Sequence, residues 1–200
     1  MANRMEVRIA GFGGQGVVLG GVLLGTAAAL YDKKNVTQTQ SYGAEARGGA
    51  ARSEVIISDT SIIYPKVLEP DIFVAMSQIA LDKYIDDLKS GGTLIVDAEL
   101  VEKLPARSDI SVYPVRFSKT AEEQLGRRIV ANMIMLGFLT ALTKITSKEA
   151  LTEAVQTGVP KGTEEQNLKA LEIGRNMAGS FSLQSPQEDL QLTPRDTAAP

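Results

Sequence analysis

Short apolar runs alternate with longer stretches of helical spacing along most of this chain. Glu6–Ala10, Val36–Gln40, Ala51–Ser58, Asp71–Met76, Thr93–Val96 and Ile110–Val115 read as strands, with Ser53, Val55 and Ile57 sharing one face of the third. Ser61–Tyr64 is expected to pair back on that strand. Val17–Tyr31 is apolar on nearly every side, the pattern of a helix sandwiched between other elements. Gly20, Gly21 and Gly25 weaken it by about 1 kcal/mol each relative to Ala, which points to close packing against a sheet. Gln78–Leu88 places Ile79, Leu81, Tyr84, Ile85 and Leu88 at helical spacing, and Gly91-Gly92 supplies a stop. Ser118 is positioned to cap a helix carrying Glu122 and Glu123. Three further helices follow over Arg128–Ile145, Ser147–Gln156 and Thr163–Met177.

Strand and helix in alternation predict an α/β fold in three layers. A mostly parallel, Rossmann-like sheet is flanked by helices, and the C-terminal third is helical. Residues 1–180 make one domain, and 181–200, with three prolines and little periodicity, read as a flexible tail.

Composition narrows the chemistry. Among 200 residues there is no cysteine and no histidine. Disulfides, thiolate-ligated iron–sulfur or zinc sites, histidine metal ligands and an imidazole base are therefore excluded within this chain. A net charge of −3 gives no basic face for nucleic acid. The apolar runs Val17–Leu30 and Ile129–Leu142 are shorter than the ~20 residues that span a bilayer. No N-terminal stretch resembles a signal peptide, so a cytoplasmic location without membrane contact is expected.

Two glycine-rich turns carry the candidate chemistry. Gly11, Gly13 and Gly16 fit G-x-G-x-x-G between a strand and a helix, with Gly14 and Gln15 inside the turn. Backbone N–H groups at such a helix start suit an anion or a phosphate. A dinucleotide site also needs an acid at the end of the second strand. Here Asp32 falls at the end of the helix, and Val36–Gln40 ends in Gln40. A free-standing NAD(P)- or FAD-binding protein is the alternative that this departure weakens. The second turn, Ser41–Gly49, sets Glu45 two residues before Arg47 among Gly43, Gly48 and Gly49, with Tyr42 alongside. It reads either as a local ion pair in a loop or as an anion clamp oriented by Glu45. Asp97 closes a buried strand, where it serves as a functional carboxylate or a turn cap. Asn132, polar on an apolar helix, needs a partner such as a loop carbonyl or a neighbouring subunit.

GxGGQGV at Gly11–Val17, SYGxExRGG at Ser41–Gly49, and AN-x-x-x-LG at Ala131–Gly137 together resemble the gamma subunit of 2-oxoacid:ferredoxin oxidoreductases. The likeness covers roughly residues 5–178 and is greatest for the 2-oxoglutarate enzyme, with the pyruvate, 2-oxoisovalerate and indolepyruvate enzymes as alternatives. It implies oxidative decarboxylation of a 2-oxoacid with coenzyme A to an acyl-CoA, CO2 and reduced ferredoxin. In the complex, thiamine diphosphate, Mg and iron–sulfur clusters sit mainly in other subunits, and this chain alone binds no cofactor and is inactive. The implied partners are alpha and beta subunits, a ferredoxin-like delta subunit, and ferredoxin as acceptor. No catalytic residue is carried over. Gly11, Gly13, Gly14, Gln15, Gly16, Tyr42, Gly43, Glu45, Arg47, Gly48, Gly49 and Asn132 are expected to face a ligand or a partner.

Overall fold

The computed structural model describes residues 4–42 and 50–181. Six strands form one sheet in the order β2-β3-β1-β4-β5-β6. They are β1 (Arg4–Phe12), β2 (Asn35–Ser41), β3 (Ala50–Ser58), β4 (Ile72–Ala75), β5 (Thr93–Asp97) and β6 (Ser111–Val115). β1, β4, β5 and β6 pair in parallel, whereas β3 runs antiparallel to both β1 and β2. Five strands therefore point one way and β3 alone the other. β3 returns directly from β2 and inserts between β2 and β1.

Alternation sorts the side chains of β1 between two faces. Val7 and Ile9 join the larger core with Val55, Ile57, Val74 and Ile95. Arg8 and Ala10 face the opposite side, where Ala10 packs with Phe73, Leu94 and Leu81. The larger core lies under α1 (Val17–Thr26), α3 (Phe117–Leu125), α4 (Ala131–Thr143), α5 (Lys148–Gly158) and α6 (Glu164–Phe181). The smaller lies under α2 (Gln78–Tyr84). α1 is sandwiched as its pattern predicts, with the sheet on one side and α4 and α5 on the other. In α4, Met133 to Leu136, Phe138 and Leu139 are fully buried. Such a side chain contributes about 1.5–3 kcal/mol as an upper bound.

Several expected boundaries move. The first helix changes at Ala27 into a π-helical segment, Ala27–Tyr31. Asp32 then braces Ser147, the residue that caps α5, from across the fold, accepting from the Ser147 N–H at 2.8 Å and the Ser147 hydroxyl at 2.6 Å, with Thr146 adding a further bond. Burial alone would raise the Asp32 carboxyl, but those hydrogen bonds outweigh it and hold it below its ordinary range. The second helix stops at Tyr84 and tightens into a 3-10 turn, Ile85–Asp87, so Gly91-Gly92 is not its stop.

Ser61–Tyr64 forms no strand. The segment leads into Pro65, and Ile63 stands 96% exposed with no sheet face to cover it. Ser118 is not the cap of α3. Arg116 holds that position without a side-chain bond, and Asp97 does the capping instead. Phe181 is the last residue of α6 and packs its ring 5.4 Å from Phe138. The rest of the expected tail lies outside the described residues.

Candidate functional site

β1 ends at Phe12, directly opposite Ala50 at the start of β3. β2 ends at the same edge, with Ser41 opposite Arg52. Topology therefore anchors both glycine-rich stretches at the end of the sheet where the parallel strands finish, a common place for α/β sites. Gly43, Glu45, Arg47, Gly48 and Gly49 lie outside the described residues. Tyr42, at the end of β2, is 66% exposed.

The first turn is closed by its own side chain. The Phe12 N–H donates to Gln15 Oε1 at 2.5 Å, and Gln15 Nε2 donates to the Met76 carbonyl at 2.8 Å. Gln15 thus ties the end of β1 to the end of β4 and fills the space beside Gly11. Gly14 and Gly16 adopt φ of 92° and 71°, a region that L side chains avoid. Asn132 Nδ2 reaches from the start of α4 to the Gly16 carbonyl at 3.3 Å. A Cβ on Gly16 would fall 2.9 Å from Asn132 Cγ and closer still to its nitrogen. Asn132 therefore finds the loop-carbonyl partner its buried position demanded. Gly13 and Gly14 remain exposed with open space around them. No side chain caps α1, which starts from Gly16.

Gly14, Gln15, Met76, Leu100, Ser118, Arg128, Ile129 and Ala131 line a cleft of about 330 Å3 at this edge. Its walls are mainly apolar, and Ile129 stands 67% exposed beside it. No feature singled out in the sequence marked this lining. The sole signal was an isoleucine directly after two arginines. Arg128 is engaged by Glu122, Nε to Oε2 at 3.0 Å, and by Glu99.

Asp97 is fully buried nearby. It accepts from the Ser118 N–H at 3.0 Å, the Ser118 hydroxyl, and the Glu99 N–H at 3.2 Å. Burial raises its carboxyl above the ordinary range despite these bonds. Its lone pairs are spent tying β5 to α3, which assigns it the cap role.

This arrangement is unlike a dinucleotide site in two respects. β3 separates β2 from β1, so the end of the second strand stands two strand spacings, ~10 Å, from the turn. Asp32 lies at the other end of the molecule with α5. Among the described residues, no group of three or more His, Cys, Asp or Glu is placed to hold a metal ion. With no cysteine in the chain, an iron–sulfur cluster does not fit it. Gln15 is the strut of the turn. Gln15→Ala leaves the Phe12 N–H and Met76 carbonyl without their partner, and a loss of about 1–3 kcal/mol is expected in urea unfolding.

Residues 6–177 match the family of pyruvate ferredoxin/flavodoxin oxidoreductases. The 2-oxoglutarate synthase subunit KorC of Methanocaldococcus jannaschii is 55% identical over 177 residues, covering 88% of this chain and 94% of the relative. The pyruvate synthase subunit PorC of the same organism is 27% identical over 179 residues, covering 86% of this chain and 96% of the relative. The crystal structure of a keto/oxoacid ferredoxin oxidoreductase gamma subunit from Geobacter sulfurreducens aligns with a TM-score of 0.79 at 45% identity, covering 88% of this chain and 99% of that one. The 2-oxoglutarate:ferredoxin oxidoreductase of Magnetococcus marinus, solved with 2-oxoglutarate, coenzyme A and succinyl-CoA bound, aligns with a TM-score of 0.81 at 25% identity over 93% of this chain and 32% of that longer chain. Among the described residues no helix is long and apolar enough to cross a membrane. The match over nearly the whole of the described chain, shared by relatives of the same length, establishes that this protein belongs to the pyruvate ferredoxin/flavodoxin oxidoreductase family.

Proposed function

We propose that this chain is the gamma subunit of a 2-oxoglutarate:ferredoxin oxidoreductase. The complex converts 2-oxoglutarate and coenzyme A to succinyl-CoA and CO2 and passes the electrons to ferredoxin. The observation that carries the reading is the contrast within one organism, where identity to the 2-oxoglutarate synthase subunit is 55% and to the pyruvate synthase subunit 27%. The alpha and beta subunits, with a ferredoxin-like delta subunit, hold thiamine diphosphate, Mg and the clusters. Those groups supply the carbon and electron chemistry, for which this chain has neither cysteine nor histidine ligands. A cytoplasmic location goes with this reading.

The contribution of the chain is a shaped edge. Gln15 engages the Phe12 N–H and the Met76 carbonyl, Asn132 engages the Gly16 carbonyl, and Arg128 is held by two carboxylates. What faces outward is Gly13, Gly14, Tyr42 and Ile129, a surface suited to a companion subunit. Arg47 and Glu45 are proposed to add a cation there, oriented for an anionic group.

The test is reconstitution of the complex with and without this chain, assayed for ferredoxin reduction with 2-oxoglutarate and with pyruvate. Full turnover on 2-oxoglutarate that requires this chain is the expected result, with little on pyruvate. Equal turnover without the chain, or pyruvate as the better substrate, overturns the assignment. In the same assay Arg47→Ala raises the apparent KM for coenzyme A if Arg47 meets an anion. An unchanged KM in a fully assembled complex removes that role.

A further inference from the structure

The two outer edges of the sheet are treated differently. β6 carries Pro114, which has no N–H to offer a further strand, a usual way of closing an edge. β2 lacks three of the usual protections. Across Asn35–Ser41 it contains no proline and no charged residue. Its register with β3 runs unbroken over all seven residues, so no bulge twists it away. Among the described residues no strand lies on its outer side. Asn35, Thr39, Gln40 and Ser41 are exposed.

We propose that β2 pairs edge to edge with β2 of a second copy of this chain, antiparallel about Gln38, so that two sheets become one. The strand suits itself in that arrangement. With Gln38 at the two-fold axis, Thr37 of one copy faces Thr39 of the other, Val36 faces Gln40, and Asn35 faces Ser41. The seven residues pair completely, and no charge meets a like charge. The first charge beyond the strand, Lys34, then faces Tyr42 of the second copy, whose ring is 66% exposed. Lys34 is already paired with Asp59 of its own chain, so no bare charge enters the seam. Thr37 and Thr39 stand opposite Ile56 and Glu54 of β3, on the face that α2 covers only over the central strands. Substitutions there change the edge without entering the larger core.

The inference concerns the assembly of this chain with itself and stands apart from the substrate assignment. It is tested on the full chain by light scattering over a concentration series, with two double variants. The native chain is expected at twice its monomer mass. T37K/T39K sets lysine against lysine twice across the axis and weakens association about tenfold or more. T37E/T39K sets glutamate against lysine twice and keeps the dimer, although it too alters both positions. Matching unfolding midpoints for the two variants certify that both fold. A monomeric native chain at every concentration overturns the proposal, as does an identical response of the two variants. In the assembled complex, a photo-cross-linking residue at position 39 should join this chain to itself. Its capture by an alpha or beta subunit instead assigns the edge to a companion and also overturns the proposal.

Discussion

Gly174→Val should cost about 3–5 kcal/mol and lower the melting temperature by roughly 10 °C. Gly174 on α6 meets α4 where the two helix backbones touch. A Cβ there would lie 2.7 Å from the Ile134 carbonyl carbon and 2.9 Å from the Phe138 nitrogen, with the carbonyl oxygen nearer still. From the other side, a Cβ on Gly137 would lie 3.0 Å from the Leu171 carbonyl carbon and 3.1 Å from the Arg175 nitrogen. Each glycine admits the backbone of the other helix, so no side chain can rotate away to relieve the clash. Relief requires the helices to separate. That opens the cluster in which Phe138 meets Phe117 at 5.6 Å and Phe181 at 5.4 Å.

Alanine supplies the sharper form of this test, because it normally stabilises a helix by about 1 kcal/mol over glycine. Gly174→Ala should destabilise despite that gain. Gly179→Ala on the same helix, where a Cβ meets nothing within 4 Å, should be neutral or slightly stabilising. Chemical denaturation that finds both alanine variants equally stable would remove the close-approach argument.

The third motif, AN-x-x-x-LG, thus divides between two structural tasks. Its first half was legible. Asn132 on an apolar helix required a buried partner, and that partner is the Gly16 carbonyl. Its second half was not, because the value of Gly137 depends on where α6 lies, and nothing local to residues 131–137 reports that. The same division runs through the fold. The apolar runs marked all six strands and the main helices, since burial on a sheet or a helix face leaves a periodic trace.

Strand order left no such trace. That β3 inserts between β2 and β1 follows from pairings between residues far apart in sequence, such as Arg8 with Glu54. This insertion removes the dinucleotide geometry that G-x-G-x-x-G alone suggests. Capping was legible at Ser147, the first residue of its expected helix, which accepts from the Ala150 N–H. It failed at Ser118, where a carboxylate arriving from β5 took over. Glu45 and Arg47, the chemical centre of the second motif, lie outside the described residues and rest on the sequence.

Arg8→Met is expected to cost about 3–5 kcal/mol, the loss typical of removing one partner from a buried ion pair. Strand alternation puts residue 8 on the α2 face beside Ala10, a place where an apolar side chain would ordinarily stand. Instead a guanidinium that is 2% exposed donates from Nε to Glu54 Oε1 at 2.8 Å and from Nη1 to Asp87, and lies 5.1 Å from the centre of the Tyr84 ring. Glu54 is its cross-strand neighbour and is itself buried. Without Arg8, Glu54 keeps Arg52 at 3.9 Å and the Thr39 hydroxyl at 3.5 Å. Asp87 is half exposed and can turn to water, so Glu54 bears most of the loss.

If the cost is an uncompensated charge and not lost packing, deleting that charge should restore stability. Arg8→Met combined with Glu54→Leu is therefore expected to recover most of the deficit, because an apolar replacement of a whole buried pair is often neutral or better. Glu54→Leu alone should be destabilising, since it leaves the buried Arg8 with only the half-exposed Asp87 as a counter-charge. The coupling between the two sites, read from a double-mutant cycle in urea, should exceed about 2 kcal/mol. Additive losses would mean that Arg8 acts through its packed stem against Tyr84, and the ion pair would then hold β1 to β3 no better than two apolar side chains.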